Sequence, residues 1–463
     1  MKKQAILDRL PGYCLISGVF LFSYLFRINL ALPLSLVLLA IYLKARNLDV
    51  KGASLLNISF LFLIIFVLSY FILKENLPFY FIPFSFIPLL STLLFNNLEL
   101  TLLLTLASSF SVSSISSNPI QLGSLFLISG LLSGILALGS RRIVQIIQAG
   151  FLTGIGQVAA LIFLENFWLG EPLRYLFLVL SAIVSGIIAF GILPIFEYLF
   201  NIITNIRLLE LADFNHPLLK RLILEAPGTY HHSLVVGNLS ESASEAVGAN
   251  SLLARIGAYY HDIGKILKPE YFSENQELGS SKHEKLSPTM SKIIIMNHVK
   301  DGVELAKKYK LRPQIIDFIQ QHHGKSLVYY FYRKALEGLE DDREVREEGF
   351  RYLGPKPDSK EAAIVLLADS VEAASRALKE PLPSRIEEVV HKTINNKFID
   401  GQLDECDLTL RDLERISAVF IRLLNGIYRS RVAYPEETRS ENNRKKFPEG
   451  NPHQSEKDKK GNS

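Results

Sequence analysis

The sequence predicts an all-α protein, a polytopic transmembrane helical bundle followed by a cytoplasmic, all-helical domain. Only 18 of the 96 Asp, Glu, Lys and Arg residues lie in the first 200 positions. Hydrophobic residues make up 49% of the 463-residue chain, and Phe alone contributes 29. After position 200 the segments have polar faces, and few runs alternate with the period of two that a strand needs. A membrane half and a helical polar half therefore follow each other along the chain.

The first half contains six clear apolar runs, each near the roughly 20 residues that a membrane helix needs. They lie at about 53–73, 78–97, 99–117, 121–140, 143–165 and 172–198. Residues 13–43 are also apolar apart from Arg27 and Asn29, and fit two short spans or one span with a re-entrant segment. In a soluble protein, so many long runs with so few charges between them would leave no polar surface. We therefore predict seven or eight spans in residues 1–200.

Basic loops orient the bundle. One loop has three basic residues between positions 44 and 51, and another contains Arg141 and Arg142. The positive-inside rule places both loops in the cytoplasm. Counting spans onward from them places residues 200–463 in the cytoplasm as well. Two short spans in 13–43 also bring the basic N-terminus inside, which favours eight spans.

Other segments complete the predicted organisation. The N-terminus resembles a signal peptide but lacks a small-residue cleavage site, so we interpret it as a retained anchor. After the bundle (1–200) we predict a connecting helix at 201–215 and a helical domain at 216–434, in which residues 338–360 form a mobile loop. Residues 435–463 lack apolar content and are predicted to be disordered.

Charge and cysteine usage exclude some classes of protein. The net charge of +4 does not favour a nucleic-acid polymer as partner. Cys14 and Cys406 fall in different predicted compartments and have no zinc-type spacing, so neither a disulfide nor a zinc finger is expected. The bundle has no chain of buried acids or bases of the kind that marks an ion path. Transport is therefore not indicated, although it is not excluded.

The helical domain contains His261-Asp262, followed by Gly264 and Lys265. Imidazole nitrogen and carboxylate oxygen suit borderline to hard divalent metals. A carboxylate has two oxygens, so Asp262 can place one on each of two metals. The dipeptide alone is weak evidence because it is common.

Further metal-binding residue types surround this pair. Five histidines within 92 residues and two aspartates are candidate ligands: His232, His261, His298, His322, His323, Asp262 and Asp369. Asp369 lies in an otherwise apolar helix, where a carboxylate is costly to bury unless it is paired or bound to a metal. Any one histidine is more often a surface or cap residue, but this combination on successive helices favours a two-metal site. Metals about 3.5–4 Å apart can clamp both oxygens of an in-line phosphoryl displacement.

The remaining histidines are not expected to bind metal. Four of them stand outside the pattern: His216, His283, His391 and His453. His231 neighbours His232, but consecutive helix positions point about 100° apart. We therefore expect only one of these two side chains to be a ligand.

Longer segments make the sequence recognisable. His232, the His261-Asp262 pair and Asp369 form the pattern of the HD superfamily, and His298 with His322-His323 extends it to a binuclear site. The segments 225–233 (Glu-Ala-Pro-Gly-Thr-Tyr-His-His-Ser), 257–265 (Gly-Ala-Tyr-Tyr-His-Asp-Ile-Gly-Lys), 298–304 (His-Val-Lys-Asp-Gly-Val-Glu), 321–324 (Gln-His-His-Gly) and 354–357 (Gly-Pro-Lys-Pro) carry the closest likeness. They resemble the bacterial 7TM-HD membrane phosphohydrolases, over about residues 13–430.

This resemblance implies a cyclic di-AMP phosphodiesterase of the bacterial plasma membrane, which opens the ring to linear pApA. It implies two divalent metals, iron or manganese, and a bridging hydroxide as nucleophile. One metal would be held by His232, His261, Asp262 and Asp369. The other would be held by Asp262, His298, His322 and His323, with Asp262 bridging.

Asp262 and Lys265 are the predicted catalytic residues. Lys265 would contact phosphate or act as a general electrostatic aid, and an ordinary surface lysine explains it equally well. The predicted partner is cyclic di-AMP, and a homo-oligomer is left open. Family members carry a large extracellular domain between the first two membrane segments, where this sequence has only Arg27-Ile28-Asn29.

Two other functions remain open. The same metal chemistry could hydrolyse another nucleotide, such as (p)ppGpp, cyclic di-GMP or a dNTP. Against cyclic di-GMP, the residues after His322-His323 read Gly-Lys-Ser-Leu-Val-Tyr, and the Gly-Tyr-Pro signature of the HD-GYP relatives is missing. A membrane receptor or transporter could instead bind a nucleotide without turnover. Every expected ligand position is filled, which favours an enzyme.

Overall fold

The computed structural model describes residues 55–165, 172–276, 281–337 and 345–428, together with Val37 and Ile41. The protein is all-α, as the sequence predicts. Within the described ranges the pairing of β type is a single isolated bridge between Leu327 and Arg351. Several predictions lie outside the described residues: the spans in 13–43, the retained anchor, residues 338–344 of the predicted loop, and the disordered tail at 435–463.

The membrane part contains six described helices, four of which are long and apolar enough to cross a membrane: α1, α4, α5 and α6. The helices are α1 (Leu55–Lys74), α2 (Phe86–Phe95), α3 (Leu98–Ser113), α4 (Pro119–Ala137), α5 (Ile143–Leu164) and α6 (Pro172–Phe200). They follow the order of the six predicted runs.

Two of these helices are shorter than the apolar runs that predicted them. The run at 78–97 forms a 3₁₀ turn at Phe79–Phe81 and then α2, which has 10 residues, and the run at 99–117 forms α3, which has 16. Pro78 and Pro83 explain the break, because proline lacks the N–H that a continuous helix requires. α2 is about 15 Å long, half the thickness of a bilayer core. All ten of its residues are buried, so it packs inside the bundle.

The turn that contains Arg141 and Arg142 lies at the end of the bundle where the helical domain begins. The amide of Gly139 donates to Asn96 Oδ1 at 3.1 Å, which joins this turn to the α2–α3 turn. The ring of Phe95, at the end of α2, stacks on Phe200 with centroids 6.4 Å apart. Since Phe200 ends α6, the basic turn and the exit of the chain share one end.

The helical domain packs around α14, whose residues from Ala362 to Asp369 are all buried. Helices α9, α10, α12, α15 and α16 surround it and contribute to one hydrophobic core. The helices of the domain are α7 (Asn205–Leu211), α8 (Pro217–Glu225), α9 (Pro227–Val247), α10 (Ser251–Tyr260), α11 (Pro288–Lys308), α12 (Pro313–Gln321), α13 (Tyr329–Glu337), α14 (Lys360–Arg376), α15 (Pro383–Ile399) and α16 (Leu410–Ile427).

The connection between α6 and α7 is short and hydrogen-bonded. The amide and hydroxyl of Thr204 donate to Glu197 Oε1, at 3.2 and 2.5 Å, and both residues are buried. Asn201 has a φ of 52°, which turns the chain between them. Gln314 of the helical domain donates from Nε2 to the Asn201 carbonyl at 2.5 Å.

Helix α7, inside the predicted connecting segment 201–215, is part of the packed domain. Leu208 and Leu211 belong to its hydrophobic core. The hydroxyl of Tyr260 donates to the carbonyl of Leu211 at 2.8 Å. The chain therefore enters the domain through a helix that contacts the residue directly before His261.

The described part of the predicted mobile loop, 345–360, is packed against the domain. Phe350 is buried in a 3₁₀ turn at Glu347–Phe350. The guanidinium of Arg351 donates to both oxygens of Asp400, at 3.1 and 2.8 Å. These contacts fix the position of the residue that follows, Tyr352, beside the predicted metal site.

Candidate metal centre

Helix α9 positions His232 one turn after its beginning, where the side chain is buried. The N-terminus of the helix is capped from a distant segment, because Asn275 Oδ1 accepts from the amides of Gly228 and Thr229 at 2.9 and 3.1 Å. A Cβ on Gly228 would lie 1.9 Å from the carbonyl oxygen of Glu274. Glycine at this position thus allows the 273–276 segment to approach the helix closely.

Gly264 brings the turn that contains Asp262 directly against α11. A Cβ at this position would lie 1.8 Å from the carbonyl oxygen of His298 and 2.6 Å from the amide nitrogen of Gly302. The close backbone approach explains why glycine occurs two residues after the His-Asp pair. It also places Asp262 and His298 next to each other.

Backbone carbonyls fix the orientation of three histidine rings. Each ring donates from Nδ1 to a carbonyl of its own helix: His261 to Ala258 at 2.5 Å, His298 to Ile295 at 2.5 Å and His322 to Ile319 at 3.0 Å. These bonds assign the tautomer in which Nε2 carries a lone pair. Such outer hydrogen bonds orient metal-binding imidazoles in proteins.

The seven predicted residues come together as two groups of donor atoms. Within each group the atoms lie within 4.8 Å of one another. One group contains Asp262, His298, His322 and His323, and the other contains His232, His261 and Asp369.

Asp262 lies between the two groups. Its Oδ2 is 3.1 Å from His261 Nε2, and its Oδ1 is 3.3 Å from His298 Nε2 and 3.5 Å from His322 Nε2. Each carboxylate oxygen therefore faces a different group, the arrangement that a bridging ligand requires.

The donor atoms are arranged to bind divalent cations rather than to form hydrogen bonds with one another. Nε2 of His298 and Nε2 of His322 are 3.1 Å apart, although both have lone pairs in the tautomers assigned above. His261 Nε2 and Asp262 Oδ1 are buried without a hydrogen-bond partner. Buried acceptors without a donor are costly, and a cation between them removes that cost. Imidazole nitrogen and carboxylate oxygen are ligands of divalent transition metals.

Burial favours the metal-binding form of two histidines in the group that contains His298. It lowers the pKa of His298 to about 3, and it lowers the pKa of His323 well below its usual value. Neutral imidazole is the form that binds a metal.

Glu372, which was not predicted from the sequence, hydrogen-bonds to the ring nitrogen of His232 that faces away from Asp369. His232 Nδ1 donates to Glu372 Oε2 at 2.6 Å, and its Nε2 is 3.0 Å from Asp369 Oδ1. Although burial works against protonation, these two carboxylates raise the pKa of His232 to about 10. Glu372 follows Asp369 by three residues on α14, so both lie on one helix face. This spacing was the available sequence signal.

We expect Glu372→Gln to weaken metal binding at the His232 group by about 10–100-fold, the usual effect of losing an outer partner of a histidine ligand. The loss follows because a neutral amide polarises the imidazole less than a carboxylate does. Metal titration followed by elemental analysis measures the change. Glu388→Gln, at an exposed glutamate of α15, is the matched control, and equal affinities in the two variants would refute the role.

Lys265 is largely buried, with 12% of its side chain exposed. Its Nζ lies 2.7 Å from Asp262 Oδ2 and 2.8 Å from Glu274 Oε1. Although burial opposes the charge, the two carboxylates raise the pKa of Lys265. Burial acts to raise the pKa of Glu274, but the charge of Lys265 outweighs it and lowers this pKa to about 2. The interpretation as a surface lysine is therefore wrong, and the electrostatic role stays a prediction.

The other histidines lie outside the two groups. His231 is exposed, and so is His391. His283 Nε2 donates to the carbonyl of Tyr271 at 2.8 Å, and His216 contacts the Tyr260 ring edge-on at 5.5 Å. His453 lies outside the described residues.

An aromatic side chain and a cavity adjoin the centre. The ring of Tyr352 stacks on His323 with centroids 4.3 Å apart. A cavity of about 520 Å³ lies beside it, with Tyr352, Gly324 and Asn297 in its wall. Lys292 and Arg351 also line it, so its wall combines aromatic and cationic groups. Sequence patterns did not indicate these residues, because the fold brings them together from separate segments.

Two family profiles match the chain in sequence order. The profile described as "7TM receptor with intracellular HD hydrolase" matches residues 21–204, and the profile of the HD domain matches residues 229–374. The membrane part therefore resembles the 7TM-HD family, and residues 229–374 match the HD domain. The predicted resemblance is thereby confirmed.

Two curated relatives of this chain are named cyclic-di-AMP phosphodiesterase PgpH. The protein of Bacillus subtilis (strain 168) is 46% identical over 324 residues, which cover 69% of this chain and 45% of the relative. The protein of Listeria monocytogenes serotype 1/2a is 43% identical over 319 residues, covering 67% of this chain and 44% of the relative. The chain thus spans less than half the length of these relatives.

Solved structures of the L. monocytogenes PgpH HD domain also match this chain. One is the domain alone and the other is its complex with cyclic-di-AMP. Both are 49% identical, and they cover 46% and 47% of this chain and 100% of their own. The TM-scores are 0.44 and 0.45.

Proposed function

We propose that the protein is a membrane-bound, metal-dependent phosphodiesterase that hydrolyses cyclic di-AMP to linear pApA. The observation that carries the proposal is the pair of donor groups on either side of Asp262. The two relatives named cyclic-di-AMP phosphodiesterase support the choice of substrate.

The donor set accommodates iron or manganese, since iron is among the metals that imidazole suits and manganese is among those that carboxylate suits. Two such ions would polarise the phosphoryl oxygens and activate water for in-line attack. His232, His261, Asp262 and Asp369 would hold one ion, and Asp262, His298, His322 and His323 the other.

The chain's own residues prepare this site for a phosphodiester. Glu372 orients His232, and Lys265 offsets the charge of Asp262. The cavity beside Tyr352 offers room for a nucleoside. In the reaction, the oxygen of one water bonds to phosphorus while the bond from phosphorus to the 3′ oxygen breaks. The leaving oxygen gains a proton, and the phosphate stays on the 5′ side as in pApA.

We further propose that the helical domain, residues 216–434, lies in the cytoplasm of a bacterium. Arg141 and Arg142 are at the end of the bundle from which the domain emerges, as the Gly139–Asn96 contact indicates. The positive-inside rule assigns such a basic turn to the cytoplasm. The substrate, a soluble dinucleotide, would reach the metal centre from that side.

The test uses the full chain in lipid nanodiscs with Mn²⁺ or Fe²⁺, given cyclic di-AMP and cyclic di-GMP in parallel. We expect conversion of cyclic di-AMP to pApA at least tenfold faster than conversion of cyclic di-GMP. Binding without hydrolysis under either metal would favour a receptor. The absence of both binding and cleavage would direct the search to other nucleotides.

A further inference from the structure

Lys397 of α15 is a cation near the metal centre that lacks an acidic partner. Its Nζ donates to Ser326 Oγ at 2.7 Å. Among the described residues, no carboxylate oxygen lies within 4.0 Å of this nitrogen. Several other cations of the helical domain, by contrast, pair with a carboxylate: Lys265 with Asp262, Arg351 with Asp400, Lys356 with Asp404 and Arg376 with Glu372.

Ser326 connects Lys397 to the metal centre. The amide of Ser326 donates to the carbonyl of His323 at 3.0 Å, and its own carbonyl accepts from the amide of Tyr352 at 3.0 Å. Tyr352 in turn stacks on the His323 ring. Lys397 is therefore one contact away from the segment that holds a predicted metal ligand.

The surroundings of Lys397 favour an anion. Burial lowers the pKa of Lys397, although Asp369 and Asp400 oppose this effect through their charges. An ammonium group has three donors, and Ser326 accepts only one bond. A cation that is partly removed from water is costly unless an anion pairs with it. The side chain keeps partial exposure, so a ligand can reach it.

We propose that Lys397 binds the second phosphate of a dinucleotide substrate, the phosphate that is not cleaved. The inference rests on the proposed function, in which the metal centre takes the first phosphate. A diester with a single phosphate has no group for Lys397 to bind. Lys397 thus contributes to selectivity for substrates that carry two phosphates, and it leaves the chemistry at the metals unchanged.

The experiment compares Lys397→Met with wild type in the full chain, in nanodiscs loaded with Mn²⁺. Bis(p-nitrophenyl) phosphate reports on the metal centre, because it has one phosphate. Cyclic di-AMP is added as its competitor, and the inhibition constant is measured whether or not cyclic di-AMP is turned over. Elemental analysis gives the metal content. Lys392→Met, at an exposed lysine of the same helix, is the control, and Lys397→Arg retains the charge.

We expect the inhibition constant of cyclic di-AMP to rise at least tenfold in Lys397→Met. Metal content and bis(p-nitrophenyl) phosphate turnover should stay within twofold of wild type in all variants. Lys397→Arg should recover most of the affinity, and Lys392→Met should match wild type.

An unchanged inhibition constant of cyclic di-AMP in Lys397→Met would overturn the proposal. The proposal would also be overturned if Lys397→Met lost metal, and lost affinity for cyclic di-AMP and turnover of bis(p-nitrophenyl) phosphate to the same extent. If cyclic di-AMP competes but is not hydrolysed, the proposed function fails, while a shift at Lys397 still supports the phosphate contact. If cyclic di-AMP does not compete in wild type, both proposals are refuted.

Discussion

Replacing Asp262 with asparagine should remove metal from both donor groups and lower phosphodiester turnover by more than about 100-fold. The loss of a residue that only hydrogen-bonds to a metal ligand already costs up to about 100-fold, and Asp262 is itself a predicted ligand. The two oxygens of Asp262 face different groups, since Oδ2 lies 3.1 Å from His261 Nε2 and Oδ1 lies 3.3 Å from His298 Nε2. An amide cannot supply two anionic oxygens, so neither group would keep its charge balance. Metal content per chain and hydrolysis of bis(p-nitrophenyl) phosphate measure the effect.

Asparagine preserves the shape of the side chain, and Lys265 keeps Glu274 as its partner in this variant. The domain should therefore remain folded, as circular dichroism would show, and the bundle should still insert in Asp262→Ala. Asp407→Asn, at an exposed aspartate, is the control. Retention of two metals and wild-type turnover in Asp262→Asn would contradict the binuclear site.

Gly264→Ala should destabilise the helical domain by about 3 kcal/mol or more, at the upper end of the cost of overpacking. The added Cβ would lie 1.8 Å from the carbonyl oxygen of His298 and 2.6 Å from the amide nitrogen of Gly302. Both are backbone atoms, which cannot rotate away as a side chain can. The turn must separate from α11, which also moves Asp262 away from His298. Thermal unfolding and metal content measure the two consequences.

Gly426→Ala provides the matched control. Gly426 is an exposed position in α16, and no neighbouring atom lies within 4 Å of the added Cβ. There the change should stabilise the chain by about 0.4–1 kcal/mol, because alanine restricts the unfolded state. A Gly264→Ala variant with wild-type unfolding temperature and metal content would contradict the close approach seen here.

The sequence predicted the seven side chains that form the two donor groups, because a His-Asp pair, a His-His pair and further histidine and aspartate residues on successive helices are recognisable by type and spacing. Their role as ligands stays a prediction. Lys397 carried no such signal, and Glu372 had only its three-residue spacing from Asp369. His232 and Glu372 are 140 positions apart, and only tertiary packing brings them within hydrogen-bond distance. The burial of Lys265 was likewise not predictable from residue type.

The membrane part shows a different limit. Hydropathy is equal for an apolar segment that crosses a bilayer and for one that is buried inside a bundle. The run at 78–97 therefore predicted a full span, whereas the structure has the buried, ten-residue α2. Pro78 and Pro83 were the signal for this break. The other runs lack internal breaks of this kind, apart from Pro194 in α6. Four of them form helices long enough to cross a membrane, whereas α3 has only 16 residues.

The connection after α6 determines how the two parts of the protein move together. A Gly/Ser-rich tether would let the domain rotate freely, but here the turn is fastened by Glu197 on the bundle side and by Gln314 on the domain side. We expect such a connection to couple the orientation of α6 to that of α7. A tilt or rotation of α6 in the lipid would then also shift Tyr260, whose hydroxyl bonds to the Leu211 carbonyl of α7. Tyr260 directly precedes His261 in the sequence.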